Sequence, residues 1–547
     1  MGERGTTLQR LNTAGGDGKM NLGALCMLGA VIVGAITAVC VVKEFWHIRR
    51  ADNCDWRELR IVVSSVFFVA LLCYGKLVTS MHFSVDSYNL LFDMSPYYQM
   101  QIGRFLSGGI ILCAIHAGIN QVVSQQFFMF VWIITLTLEI IMIGETLCTY
   151  IAGIRGIKKG LLYAAIGCAF FNVFMMDLML FTEMAMVLFL SNLTLALAIR
   201  YAIVAGERKG LWLLSLAFLS VSLSSYQAYI TVFEVFVLLG IFVRYEDDLK
   251  RRYVFAVLSL FLGALAAIGN IAFTKILIRK GLLADSGRGA SFDIKTIHNN
   301  ILTLMEYQKH FWTDADGIFP LAIMIIVGMV LLTMFIHIVF RLETMEKRVF
   351  VTLFIAGAYT LAFMAHVIEG HIVLSPRSNI GVWSVISLIL LLFIIYGNYA
   401  PARLRQFAVA LAFMLYLPNI VVMGDMIESE AQINAVDQNE AIQFCAAIKE
   451  YEAESGNYIT KLAMKGDVNN EFFLPVSRYR DWELGKRIMS TYYSNYRLLS
   501  HYLERSCEKV DMPEDIYQEH FFERDWNCMN VTEQLYCDGD TAYIMVY

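Results

Sequence analysis

Apolar runs long enough to cross a bilayer follow one another from Asn21 to Gly424, about a dozen of them. Leu22–Val42, Ile61–Thr79, Phe127–Ile151 and Leu321–Phe340 approach or exceed the roughly 18 to 20 residues that span a hydrocarbon core. Lipid offers backbone N–H and C=O groups no partner, so each run must be helical. With 58% hydrophobic and 17% charged residues, a chain of 547 residues is too apolar to be a soluble globular protein. No basic stripe interleaved with aromatics is present, which excludes a nucleic-acid partner.

The charged residues orient these helices. Arg49, Arg50, Arg57 and Arg60 form one basic cluster, and Arg155, Lys158 and Lys159 the next. Arg208 and Lys209 follow, then Arg244, Lys250, Arg251 and Arg252, then Arg341, Lys347 and Arg348, and last Arg403 with Arg405. All lie in short loops, where the positive-inside tendency places them in the cytoplasm. Threading the helices between them puts the loop Met81–Gln125, three hairpin tips, the long loop Thr274–Phe319 and the tail from Asp425 outside. Leu22–Val42 reads as an additional span with an external N-terminus rather than a signal peptide. Phe105–Asn120 is short and contains glycine, so it reads as a juxtamembrane helix lying at the outer surface.

The expected organisation is therefore residues 1–60 as an N-terminal tail, extra helix and basic loop, and 61–424 as the transmembrane domain. Residues 425–547 form an extracytoplasmic soluble α/β domain. The fold class is a polytopic α-helical membrane protein with about 12 transmembrane helices, a juxtamembrane helix and a small external α/β region. In the tail, Ala441, Phe444, Cys445, Ile448 and Tyr451 have helical spacing, and Tyr458–Met464 and Thr541–Tyr547 read as strands. Acidic residues outnumber basic ones there by about two to one. Cysteines in the apolar segments, and Cys54 in a short loop, are small buried hydrophobes. Cys445, Cys507, Cys528 and Cys537 do not have structural-zinc spacing and are candidates for disulfides in an external domain, their connectivity open.

The polar residues left over crowd at the outer helix ends. Asp86, just past the end of a spanning helix, is the candidate general base, since a carboxylate there can reach a hydroxyl proton. The alternative is an interfacial Asp that caps the next helix. Arg104 and Arg377 are candidates to hold a phosphate, against the alternative of helix-end anchors. Asp177 and Glu183, at one hairpin tip, could bind a divalent cation, position a sugar or simply face headgroups. Tyr226 and Gln227 place an aromatic beside an amide, which suits sugar recognition and equally an interfacial aromatic belt. Asp314-Ala-Asp316 has the D-x-D pattern of metal-dependent sugar transferases, a short motif that often arises by chance.

The order of these parts resembles the bacterial glucosyltransferase family named for GtrII, of the membrane-embedded GT-C class. The matching features are Asp86-x-Tyr88, Gln101-Ile-Gly103-Arg104, Ser225-Tyr226-Gln227-Ala228 at a hairpin, Pro376-Arg377-Ser378 before a late helix, and an external tail beginning with a helix and strand, so that the resemblance spans roughly Arg60 to the C-terminus. The resemblance adds Tyr88 and Gln101 to the candidate substrate-binding residues. It implies a GT-C-like fold and a polyprenyl-phosphate sugar donor, typically glucose. The implied acceptor is a cell-surface polysaccharide at the outer face of the bacterial cytoplasmic membrane, as in O-antigen modification. Val85 precedes Asp86 where the family often has a second acidic residue, and the extra N-terminal helix also departs from the usual plan.

The expectation is a hexosyltransferase embedded in the lipid bilayer, with a flippase and a donor synthase as candidate partners. A divalent cation is a candidate cofactor. A flippase for lipid-linked sugar and a polysaccharide polymerase are the rival readings; the first would need a continuous polar path through the helices.

Overall fold

The helices that carry the basic loops are sewn together at one end of the bundle by short ion pairs. The computed structural model describes residues 17–50, 55–93, 95–151, 154–287, 289–313, 319, 321–372, 374–397, 401–466, 487–524 and 529–546. Asp314–Asp316, Cys54 and Cys528 lie outside them. Lys159 Nζ sits 2.8 Å from Glu145 and 3.8 Å from Glu58, whose carboxylate also accepts from the Gly156 N–H. Arg200 Nε lies 2.6 Å from Glu44, and Arg252, almost fully buried, pairs with Glu346 at 3.2 Å. These contacts join the starts or ends of seven helices: Asp17–Arg50, Trp56–Thr79, Gln125–Cys148, Ile157–Gly167, Met184–Ala205, Leu249–Arg279 and Met345–Val367.

Among the described residues, eight helices are long and apolar enough to cross a membrane. The expected count of about twelve is not reached by that measure, because one expected span is broken and others are shorter than a full crossing. The run expected as one span over Gly160–Met176 breaks into Ile157–Gly167 and Val173–Met179. Asn172 makes the break: its side-chain oxygen caps the second helix by accepting from the Phe174 and Met175 N–H groups. Lys209–Leu223, Tyr229–Arg244 and Gly381–Tyr396 are apolar but shorter than a full span.

Gln125–Cys148 and Met184–Ala205 form the buried centre of the bundle. The long helix Asp17–Arg50, which contains the extra N-terminal span, is largely exposed along its apolar run, as a helix facing lipid would be. It is nevertheless built into the fold: it packs on Phe105–His116, where a Cβ on Gly109 would collide with the Cys26 backbone. At 12 residues, Phe105–His116 is about 18 Å long and too short to cross.

Residues read as the loop Thr274–Phe319 are partly helical. Leu249–Arg279 runs past the expected end of its span, and Ile294–Thr313 is a separate helix clasped by Asn300, whose amide donates to His366 O and Glu369 O.

The expected boundary at Asp425 falls inside one continuous helix, Leu417–Ser455, which leaves the bundle and enters the C-terminal domain. It is preceded by a π-helical turn at Ala412–Tyr416 and ends at Gly456 in the left-handed region, φ +74°. The domain it enters has a four-stranded sheet in the order β2 (Glu508–Val510), β1 (Lys461–Gly466), β4 (Thr541–Val546), β3 (Leu535–Asp538). β1 is parallel to β2 and β4, and β3 is antiparallel to β4. Ala441, Phe444 and Ile448 on the long helix, Leu462 and Ile544 on the sheet, and Leu498 and Leu499 on Asn495–Tyr502 form its core. Both expected strands are present. Cys445, Cys507 and Cys537 are free thiols, so no disulfide joins these three.

Candidate active site

A cavity of about 1310 Å³ opens at the end of the bundle away from the sewn basic loops. Asp86, Gln101, Arg104, Glu183, Tyr226, Gln227 and Arg377 line it. The expected residues, scattered over nearly 300 positions, thus meet around one void.

Asp86 is held by its neighbours on both sides. The chain leaves Trp56–Thr79 and turns through Ser84, whose N–H donates to Ser87 Oγ at 2.8 Å. Ser87 Oγ lies 3.0 Å from Thr182 Oγ1, which ties this loop to the hairpin tip bearing Glu183. Asp86 occupies the capping position of the helix Ser87–Phe92 but its side chain makes no capping hydrogen bond. The capping alternative therefore does not account for it.

Glu183 is 6% exposed, and one of its carboxyl oxygens has no hydrogen-bond partner. Burial first, and then the charge of Asp86, push its carboxyl up to about 8; Arg104 and Arg377 act against that shift. The two acids and the two guanidiniums therefore share one electrostatic neighbourhood. Glu183 thus brings a second carboxyl into the neighbourhood of Asp86 from another hairpin.

Each arginine is positioned by architecture. Gly103 lies at φ +82°, and a Cβ there would collide with Asn270, whose amide donates to Gly103 O at 2.9 Å. Gln227 Nε2 donates to Ile102 O at 2.9 Å from the other side. The turn so fixed places the Arg104 guanidinium 5.1 Å over the Tyr226 ring, a cation–π contact. Arg104 Nε is buried and has no hydrogen-bond partner.

Arg377 sits in the 3₁₀ turn Pro376–Asn379, closed by a capping box between Ser375 and Ser378. Its backbone N–H donates to Asp177 at 3.0 Å, its guanidinium is 3.7 Å from the same carboxylate, and it stacks 4.3 Å over Phe181. The Tyr226 hydroxyl donates to Arg377 O. Tyr226 thus bridges the two arginines, its ring under one and its hydroxyl on the other.

Two expected residues do not line the cavity. Asp177 is fully buried behind Arg377 and positions it. Tyr88 points into the C-terminal domain: its ring stacks on Phe83 at 5.0 Å, meets His501 at 5.5 Å, and its hydroxyl accepts from Gln438. It anchors the Asp86 loop. Asn434 helps, exchanging two hydrogen bonds with the Phe83 backbone at 2.7 and 2.8 Å.

Asp177 turns to Arg377 while Glu183 lines the cavity, so the two acids of this tip are not brought together on the cavity wall. Among the described residues no group of three His, Cys, Asp or Glu side chains is arranged to hold a metal ion.

The sequence reading missed Gln121, Asn270, Lys275, Arg279, Tyr492 and Tyr493, which also line the cavity. Lys275 and Arg279 carried a signal, basic residues just beyond the outer end of a span; the two tyrosines carried none.

The family model described as Glucosyl transferase GtrII matches residues 75–396, more than half of the chain. The match contains Asp86, both arginines and both halves of the hairpin network, and it stops before the C-terminal domain. No curated protein and no solved structure matches. On that match, with the family's sugar-transfer activity as its coarse function, the chain belongs to the GtrII glucosyltransferase family.

Proposed function

We infer that the protein is a GT-C-type enzyme that moves a hexose, glucose by its family, from a polyprenyl-phosphate carrier to a cell-surface polysaccharide. The reaction takes place at the extracytoplasmic face of the bacterial cytoplasmic membrane. The observation that carries this reading is the pairing of a carboxylate, Asp86, with two guanidiniums, Arg104 and Arg377, around one cavity at the helix ends opposite the basic loops.

The acceptor hydroxyl attacks the anomeric carbon as the bond from that carbon to the phosphate oxygen breaks. The hydroxyl proton passes to Asp86, and polyprenyl phosphate leaves with its new negative charge facing Arg377 and Arg104. Arg377 offers a planar fork suited to phosphate oxygens. Arg104 adds a second positive charge, its Nε buried without a hydrogen-bond partner. Burial and the charge of Asp86 raise the Glu183 carboxyl, so the two acids together hold a proton more readily than separate carboxylates would, which limits repulsion of the donor. Tyr226 and Gln227 orient the arginine turns and present their remaining surfaces to the sugar. Gln101 offers an amide to it.

No nucleotide sugar is needed, and the donor calls for a synthase to make it and a flippase to deliver it. The transport alternative requires a polar path through the bundle. Against it stands the apolar, tightly packed centre formed by residues such as Ile140, Leu188, Phe233 and Leu391.

The test is the envelope glycan of a deletion strain complemented with wild type or Asp86→Asn at matched membrane levels, read by mass spectrometry. One hexose per repeat should vanish in the deletion and return with wild type only. An unchanged glycan with lipid-linked sugar accumulating on the cytoplasmic side would identify a transporter, and a changed backbone length would identify a polymerase.

A further inference from the structure

The cavity has one wall that the bundle does not supply. Tyr492 and Tyr493, from the C-terminal domain, line it together with Asp86 and Arg377. Tyr492 is 70% exposed and Tyr493 37%, although both belong to a domain with a well-buried core. Their rings stand at 90° with centroids 5.3 Å apart, so they form a corner rather than a stack.

This corner is rigidly built. Arg487 and Asp437 are both buried, and Arg487 Nε donates to Asp437 at 2.9 Å. The same carboxylate accepts the N–H groups of Ile488 at 2.7 Å and Met489 at 3.3 Å, and Glu440 takes the other side of the guanidinium. Thr491 N–H then donates to Ile488 O, and Ser494 N–H to Thr491 O, which closes the turn that presents the tyrosines. A buried ion pair in which both Asp437 oxygens are engaged is a costly way to hold a surface turn unless the turn must keep its position. The helix that bears Asp437 continues from the bundle, so the corner is referenced to the same frame as Asp86.

A tyrosine offers an apolar ring face and a polar tip, and two at right angles match a saccharide, which has apolar C–H faces and hydroxyl edges. The arginines are suited to the phosphate of a donor; the tyrosines themselves are uncharged, with Lys509 Nζ 4.9 Å from the centroid of the Tyr492 ring, over one of its faces. The corner also lies beyond residue 396, outside the matched region, where a feature selecting an acceptor rather than a shared donor would be expected.

We propose that Tyr492 and Tyr493 form the subsite for the acceptor saccharide, which the C-terminal domain holds against Asp86. This rests on the transfer reaction proposed above. Full-length protein in nanodiscs would be titrated with two probes: undecorated oligosaccharide repeats prepared from the surface glycan of a deletion strain, and a short-chain polyprenyl phosphate. The double variant Tyr492→Ala/Tyr493→Ala should bind the oligosaccharide about tenfold more weakly and the polyprenyl phosphate as wild type does. Tyr492→Phe/Tyr493→Phe, which keeps the ring faces, should recover most of the saccharide affinity and match the wild-type melting temperature.

Equal saccharide binding by wild type and the Ala variant overturns the proposal, as does equal loss of both probes. If wild type transfers hexose and the Ala variant shows an unchanged acceptor KM, the subsite is wrong and the transferase reading stands. If saccharide binding depends on the tyrosines but wild type transfers no hexose, the transferase reading falls and the subsite remains.

Discussion

The two ends of the helical bundle use the same residue types for opposite purposes. At the basic end, cations and carboxylates are neighbours: Lys159 with Glu145, Arg200 with Glu44 and Arg252 with Glu346 sit between 2.6 and 3.2 Å apart and join helices. At the other end, Asp86, Glu183, Arg104 and Arg377 are set around a cavity of about 1310 Å³. Charges that neutralise one another directly are cement. At the cavity, a Gly turn, a capping box and a bridging tyrosine fix where Arg104 and Arg377 stand, and the void beside them leaves room for a substrate. What separates the two roles is whether the charged groups border a cavity.

That contrast can be broken most sharply at Asp86. Asp86→Asn should lower the transfer rate by about 10²- to 10⁴-fold while membrane level and melting temperature stay near wild type. A folded variant with full activity would remove Asp86 from the mechanism.

Cutting the cement should do the reverse. Lys159→Met leaves Glu145 buried beside an uncharged neighbour, and should cost about 3 to 5 kcal/mol of stability in a thermal or denaturant titration. The surviving folded protein should keep its specific activity. If activity per folded molecule fell as far as stability did, the two ends would not be separable.

Arg377→Lys keeps the charge but loses the fork. A drop of about tenfold to a hundredfold in kcat/KM for the lipid-linked donor is expected, with acceptor KM little changed. A loss confined to the acceptor would reassign the residue.

The smallest effect on transfer should come from Glu183. Its carboxyl lies near 8 in the folded protein against an ordinary 4.5, through burial first and then Asp86. The folded state therefore keeps a proton that the unfolded chain has lost, and stability should fall as pH rises from about 4.5 through about 8. Transfer should show a modest decline near pH 8 as a second negative charge develops beside Asp86. Glu183→Gln, fixed in the neutral form, should flatten both profiles; an unaltered decline would place the titrating group elsewhere.

Much of this was legible along the chain. Periodicity and length identified the apolar helices, and the basic clusters marked one end of the bundle, because Lys and Arg are biased to the short loops of one side. The strand at Thr541 and the helical spacing from Ala441 were also readable, since burial patterns repeat at 3.6 and 2 residues. Two local events were not. Asn172 breaks an otherwise continuous apolar run, because an Asn within such a run does not announce that it will cap a new helix. The helix Leu417–Ser455 passes straight through the polarity change expected to end a domain, because helical hydrogen bonding is indifferent to solvent as long as the backbone is paired.

The candidate site divides the same way. Residue type and sidedness, which are properties of single positions, were enough to mark Asp86, Arg104, Glu183, Tyr226 and Arg377. Direction and partnership were not. Tyr88, two residues from Asp86, turns into the C-terminal core, and Asp177 lies behind Arg377 rather than on the cavity wall. Tyr492 and Tyr493 enter from more than a hundred residues beyond any of the marked positions. One-dimensional order encodes solvent preference and periodicity, because these act on each residue and its near neighbours. Which side chains share a cavity depends on long-range packing, and here only the folded chain settles it.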